Sequence, residues 1–81
     1  MVSTRKIRNM ITNNKKDKLT YDKESGVYTF KTYSCNSAGW IVGLLRFILR
    51  EYEPEFLEYY KSTKTWKERL VTIKFYLRGI Q

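Results

Sequence analysis

Cationic side chains at the two ends of the chain are the residues whose type and spacing suggest chemistry. Arg5, Lys6, Arg8, Lys15, Lys16 and Lys18 crowd the first eighteen positions, opposed only by Asp17. Lys67, Lys74 and Arg78 recur in residues 61–81, a stretch holding six basic side chains against Glu68 alone. Between them, residues 19–60 carry four basic and six acidic side chains. A net charge of +8 scattered evenly over 81 residues would not leave two cationic ends around an acidic middle. Lysine and arginine neutralise phosphates and displace condensed counterions. The pattern therefore predicts salt-sensitive binding to a polyanion, nucleic acid above all.

Aromatic residues bear on which nucleic acid. Unpaired bases stack on Tyr, Phe and Trp faces at about 1–3 kcal/mol per base. Tyr21, Tyr28, Phe30 and Tyr33 stand close together in the chain and are candidate stacking platforms. With the cationic ends they favour RNA over DNA, read with little sequence selectivity, since no RRM signature or other nucleic-acid motif is present. An alternative reading lies in the middle zone. Glu51, Glu53, Glu55 and Glu58 beside Tyr52, Tyr59 and Tyr60 make an acidic, aromatic surface over 51–60. Such a surface suits a protein-directed inhibitor or adaptor docking on a basic host protein such as a toxin or nuclease.

Catalysis is not expected. The chain has no histidine, the side chain most used for proton transfer near neutral pH. Cys35 is the single cysteine, so neither an internal disulfide nor a structural zinc set within one chain is expected. Gly26, Gly39, Gly43 and Gly79 are too scattered for a phosphate-cradling loop, and no cofactor is implied.

The elements that must position these residues read as one small α+β domain over 1–81, with a basic N-terminal segment at 1–18. Ile7, Met10 and Ile11 give that segment the spacing of a short helix. "LTYDKESGVYTFKTY" predicts a β-hairpin over about 18–33: two β-prone runs flank a turn in which Gly26 can take a positive φ. The hairpin is expected to pack on two or three helices at about 37–52, 54–62 and 65–78. In the last of these, Trp66, Leu70, Ile73, Leu77 and Ile80 repeat at helical spacing, and helix is favoured. The same stretch also alternates as a strand would, with Val71, Ile73, Phe75 and Leu77 on one side. Lys67, Lys74 and Arg78 share a face of the helix; a strand would instead align Lys74, Tyr76 and Arg78.

"SAGWIVGLLRFIL" is the one strongly apolar segment. Its uninterrupted run from Ala38 to Leu45 falls well short of the roughly 20 residues that span a bilayer, so no membrane partner is expected. It reads as shared core, with Trp40, Leu44, Leu45 and Ile48 buried and Gly39 and Gly43 as close-approach positions for a second copy. A chain this short gains from self-association, so a homodimer is expected. The N-terminus has no apolar stretch of the signal-peptide kind, which points to the cytoplasm.

In general make-up, "TRKIRNMITNNKKDK", the "YDKESGVYTF" hairpin and the basic end "WKERLVTIKFYLRG" resemble the small accessory proteins of large tailed phages. Some of those counter host defences, including RNA-binding inhibitors of toxin–antitoxin ribonucleases. The resemblance implies an anti-defence factor in the host cytoplasm, engaging RNA together with a host toxin or nuclease.

Overall fold

A computed structural model describes residues 4–12, 15–63 and 69–79. The elements run α1 (Thr4–Ile11), β1 (Lys18–Asp22), β2 (Val27–Tyr33), α2 (Ala38–Ile48), a 3-10 turn (Arg50–Tyr52), β3 (Pro54–Thr63) and β4 (Arg69–Leu77). The four strands form one antiparallel sheet in the order β1-β2-β4-β3. This is a β-rich α+β fold.

The hairpin lies where the turn signal placed it, and its turn is built locally. The Asp22 carboxylate accepts the Glu24 amide at 3.0 Å and the Ser25 hydroxyl at 2.9 Å. Gly26 then closes the turn at φ 76°, a conformation that costs glycine least. Those bonds, the Ser25 hydroxyl first and the Glu24 amide next, hold the Asp22 carboxyl below its ordinary value of 3.8. A depressed carboxyl pKa stabilises the fold above the unfolded value, and that contribution disappears as pH falls through the folded value. Thermal melts of the protein and of Asp22→Asn are therefore expected to converge as pH drops below about 3.8, with the protein losing the turn's support. Melts that stay a constant distance apart from pH 5 to pH 2 would contradict this.

Two expected helices are strands. Residues 54–63 form β3 and 69–77 form β4, which replaces the helices expected at 54–62 and 65–78. The deciding residues are Val71, Ile73, Phe75 and Leu77. All four are buried on one face of β4, where they meet Thr32, Phe30 and Tyr28 of β2 and Phe56 of β3. As an inner strand β4 must hydrogen-bond on both sides, and its β-branched residues suit a pleated surface better than a helix. For 54–62, two glutamates and a leading proline suggested helix. Proline is equally at home as the first residue of an edge strand. Glu53, at φ 50°, turns the chain out of the 3-10 segment into β3. The end of β4 returns to this corner: the Arg78 amide donates to the Glu53 carbonyl at 3.1 Å, and the Gly79 amide to Tyr52 at 2.8 Å. A Cβ at Gly79 would stand 3.0 Å from the Tyr52 carbonyl carbon, so only glycine fits without displacement.

Both helices cover one face of the sheet. Ile7 and Ile11 of α1 join Ile41, Val42, Leu45 and neighbouring Leu49 in a core with Leu19, Tyr28, Phe30, Val71, Ile73 and Phe75. Ser37 caps α2, its hydroxyl accepting the Trp40 amide at 3.1 Å. No helix among the described residues is long and apolar enough to cross a membrane. Among the described residues, no helix lies on the opposite face of the sheet.

Candidate nucleic-acid interface

Strand alternation and register fix the composition of this open face. Lys18 of β1 lies opposite Lys31 of β2, Lys31 opposite Thr72 of β4, and Thr72 opposite Tyr60 of β3. These four residues make one row straight across the sheet. The next row is Thr20, Thr29, Lys74 and Glu58. Lys18, Thr20, Thr29, Lys31, Tyr60, Thr72 and Lys74 together line an open depression of about 390 Å³.

The two lysines are the unusual feature. Directly opposed like charges on neighbouring strands destabilise a sheet. Neither Lys18 nor Lys31 has an ion-pair partner among the described residues. Their ammonium groups therefore concentrate uncompensated positive charge in the depression, and an anion bound there would relieve the repulsion. Away from this row the face changes character. Lys74 approaches Glu58 at 3.8 Å, and Arg78 holds Glu55 with contacts of 2.6 and 2.8 Å. Asp22, Glu55 and Glu58 thus collect towards the hairpin-turn end of the face, and the unpaired cations towards the other.

The cations expected to bind nucleic acid divide accordingly. Lys18 and Lys74 stand on the open face. Lys15 and Lys16 are exposed in the turn leading into β1, near Lys18. Arg5, Lys6 and Arg8 lie on α1, across the sheet from the depression, and Arg8 donates to the Leu19 carbonyl on β1 at 3.2 Å. Arg78 is engaged by Glu55 beyond the end of β4. Lys67 lies outside the described residues.

The candidate stacking residues divide too. Tyr28 and Phe30 are buried on the helix-covered face and present no ring to a base. The Tyr28 ring stacks on Phe75 at 5.5 Å, and burial first, then Tyr21, pushes its hydroxyl pKa up. Tyr21 is partly exposed but leans on Tyr28, ring centroids 4.6 Å apart. Tyr33, at the end of β2, is exposed. Lys31, Thr72 and Tyr60 are the residues sequence reasoning did not place in this site. Lys31 was within reach, because it alternates with the core residues Phe30 and Thr32. Tyr60 and Thr72 were not, because their position follows from the β3–β4 pairing.

Of the residues expected to be shared core, Leu45 is buried and Ile48 packs partly against the core. Trp40 and Leu44 are instead exposed, at 56% and 40%, and nothing lies within 4 Å of a Cβ placed on Gly39 or Gly43. Ile41, Val42 and Leu49 take the inner positions. Compared with known protein families, with curated proteins and with solved structures, the chain matches none.

Proposed function

We propose that this chain is a non-enzymatic nucleic-acid-binding protein that holds single-stranded RNA across the open face of its sheet. One observation carries the reading: Lys18 and Lys31, directly opposed and without an ion-pair partner among the described residues, share a depression with Tyr60. The lysines meet phosphate oxygens, while Tyr60 at the far end of the row and Tyr33 nearby offer ring faces to splayed bases. Thr20 and Thr29, beside the buried Thr72, present hydroxyls able to bond a ribose 2′-OH, the group that separates RNA from DNA. Among the described residues the open face carries no Asn or Gln, and its one arginine, Arg78, is held by Glu55, so few side chains are left to read base edges in bidentate fashion and selectivity is low. Two of the four carboxylates on the 51–60 surface, Glu55 and Glu58, are engaged by Arg78 and Lys74, which weakens the reading of that surface as a dock for a basic protein. The likeness in make-up to phage accessory proteins extends the proposal to an anti-defence role in a host cell.

Titrating a labelled RNA of mixed sequence against the protein at several salt concentrations tests this. With three or four lysines on phosphates, log affinity is expected to fall against log salt with a slope of about −2 to −3. The same sequence as DNA is expected to bind more weakly. No binding at about 50 mM salt would overturn the proposal.

A further inference from the structure

The two edges of the sheet are treated differently. β1 is five residues long, and its Leu19 carbonyl is capped by Arg8. β3 is ten residues long, and no hydrogen bond from outside the sheet reaches its backbone among the described residues. A long, open edge bearing exposed Leu57, Tyr59 and Tyr60 is a ready template for another strand. The register shift between Phe56 and Glu58 marks a bulge, which leaves 58–63 as the regular stretch available to a partner.

We infer that this edge pairs antiparallel with β3 of a second copy, about a two-fold axis through Tyr60. A two-fold normal to the sheet keeps the open faces on the same side, so residues opposed across the seam must share a face. Centring on Glu58 would set glutamate against glutamate, centring on Lys61 would set lysine against lysine, and centring on Tyr59 would bring the bulged Leu57 into the ladder opposite Lys61 of the second copy. Centring on Tyr60 places Tyr60 against Tyr60 of the second copy, Tyr59 against Lys61 of the second copy, and Glu58 against Ser62 of the second copy. No like charges meet, and the stem of Lys61, whose ammonium donates to the Cys35 and Asn36 carbonyls at 3.1 and 3.0 Å, lies against an aromatic ring. The layer beneath also has room. Arg46 of α2 lies 5.4 Å over the Phe56 ring of β3, and Gly39 and Gly43 fall on the same stripe of the helix as Arg46. The side of α2 turned to this edge is therefore its slimmest.

The competing surface is the outer stripe of α2, Trp40, Leu44 and Phe47. These side chains are exposed at 56%, 40% and 65%, but unlike the edge they bring no unpaired backbone groups to a second copy. Part of Phe47 is already covered by the Arg50 guanidinium, 4.6 Å from its ring. The inference concerns the sheet edge alone and stands whatever the open face binds, since association is measured on the protein without nucleic acid.

Sedimentation equilibrium of the purified chain is expected to show a dimer at about 100 μM. Tyr59→Lys, which sets lysine against Lys61 of the second copy, is expected to weaken association at least tenfold. Tyr59→Asp, equally polar but of opposite sign, is expected to retain it. Tyr60→Cys in a Cys35→Ser background should oxidise to a disulfide-linked dimer, because the two substituted positions face each other. A monomer at all concentrations would overturn the inference. So would a dimer indifferent to the charge at 59, uncaptured by Tyr60→Cys, or dissociated instead by Phe47→Glu, which would assign the interface to the outer stripe of α2.

Discussion

Lys31→Glu is expected to weaken RNA binding and to make the protein more stable. Opposite Lys18, the new glutamate turns a repulsive cross-strand pair into an attractive one, worth about 0.2–1 kcal/mol each way. For a domain of this size the two together correspond to a rise in melting temperature of about 2–12 °C. At the same position the depression loses one positive charge and gains a negative one. Affinity for RNA is expected to fall about ten- to a hundredfold, and the salt slope to become shallower by about one. The combination is diagnostic. A variant that binds poorly because it is damaged loses stability, whereas one that binds poorly because a functional cation has been removed need not. Melting curves and anisotropy titrations on one preparation read both effects. Unchanged affinity in a stabilised variant would show that the opposed lysines serve no phosphate.

The second large effect lies in the core and separates two neighbouring leucines. Leu45 is 2% exposed and touches the sheet, while Leu44 is 40% exposed on the outside of α2. Leu45→Ala is expected to cost about 2–5 kcal/mol, and Leu45→Asp more, since it also buries a charge with no partner. Total stability for a chain of this length is on the order of 4–12 kcal/mol, so Leu45→Asp is expected to be unfolded at 25 °C. Leu44→Asp is expected to change stability by less than about 1 kcal/mol. Far-ultraviolet circular dichroism with urea titration distinguishes them. If the two aspartate variants behave alike, the orientation of α2 is wrong.

That contrast shows where the sequence was informative. The apolar helix was legible as an element, because an apolar stripe at helical spacing follows a Ser37 cap. Its inward face was not, because Trp40, Phe47 and Leu44 make α2 apolar on most sides and only contact with the sheet selects Ile41, Val42, Leu45 and Leu49. The hairpin was legible for a local reason: Asp22, Ser25 and Gly26 specify the turn without help from the rest of the chain. The strands at 54–63 and 69–77 were harder. Leu70, Ile73 and Leu77 fit a helical repeat as well as Val71, Ile73, Phe75 and Leu77 fit alternation. What decides between them is the non-local pairing of β4 with both β2 and β3. The candidate site inherits that difficulty, since its row of Lys18, Lys31, Thr72 and Tyr60 draws on four strands. Of the residues in the two charge blocks, Lys18 and Lys74 stand on the open face where the proposed site lies. The cations of α1 ended on the opposite layer because Ile7 and Ile11 bury that helix against the core side of β1.

Backbone amide shifts of isotope-labelled protein, followed while a short single-stranded RNA is added, test the central claim most directly. The account predicts that the largest changes gather at Lys18, Thr29, Lys31, Tyr60, Thr72 and Lys74, on four strands but one face. Arg5, Lys6 and the outer stripe of α2 should stay nearly still. Changes concentrated on α1 and the outside of α2, with the open face silent, would contradict it.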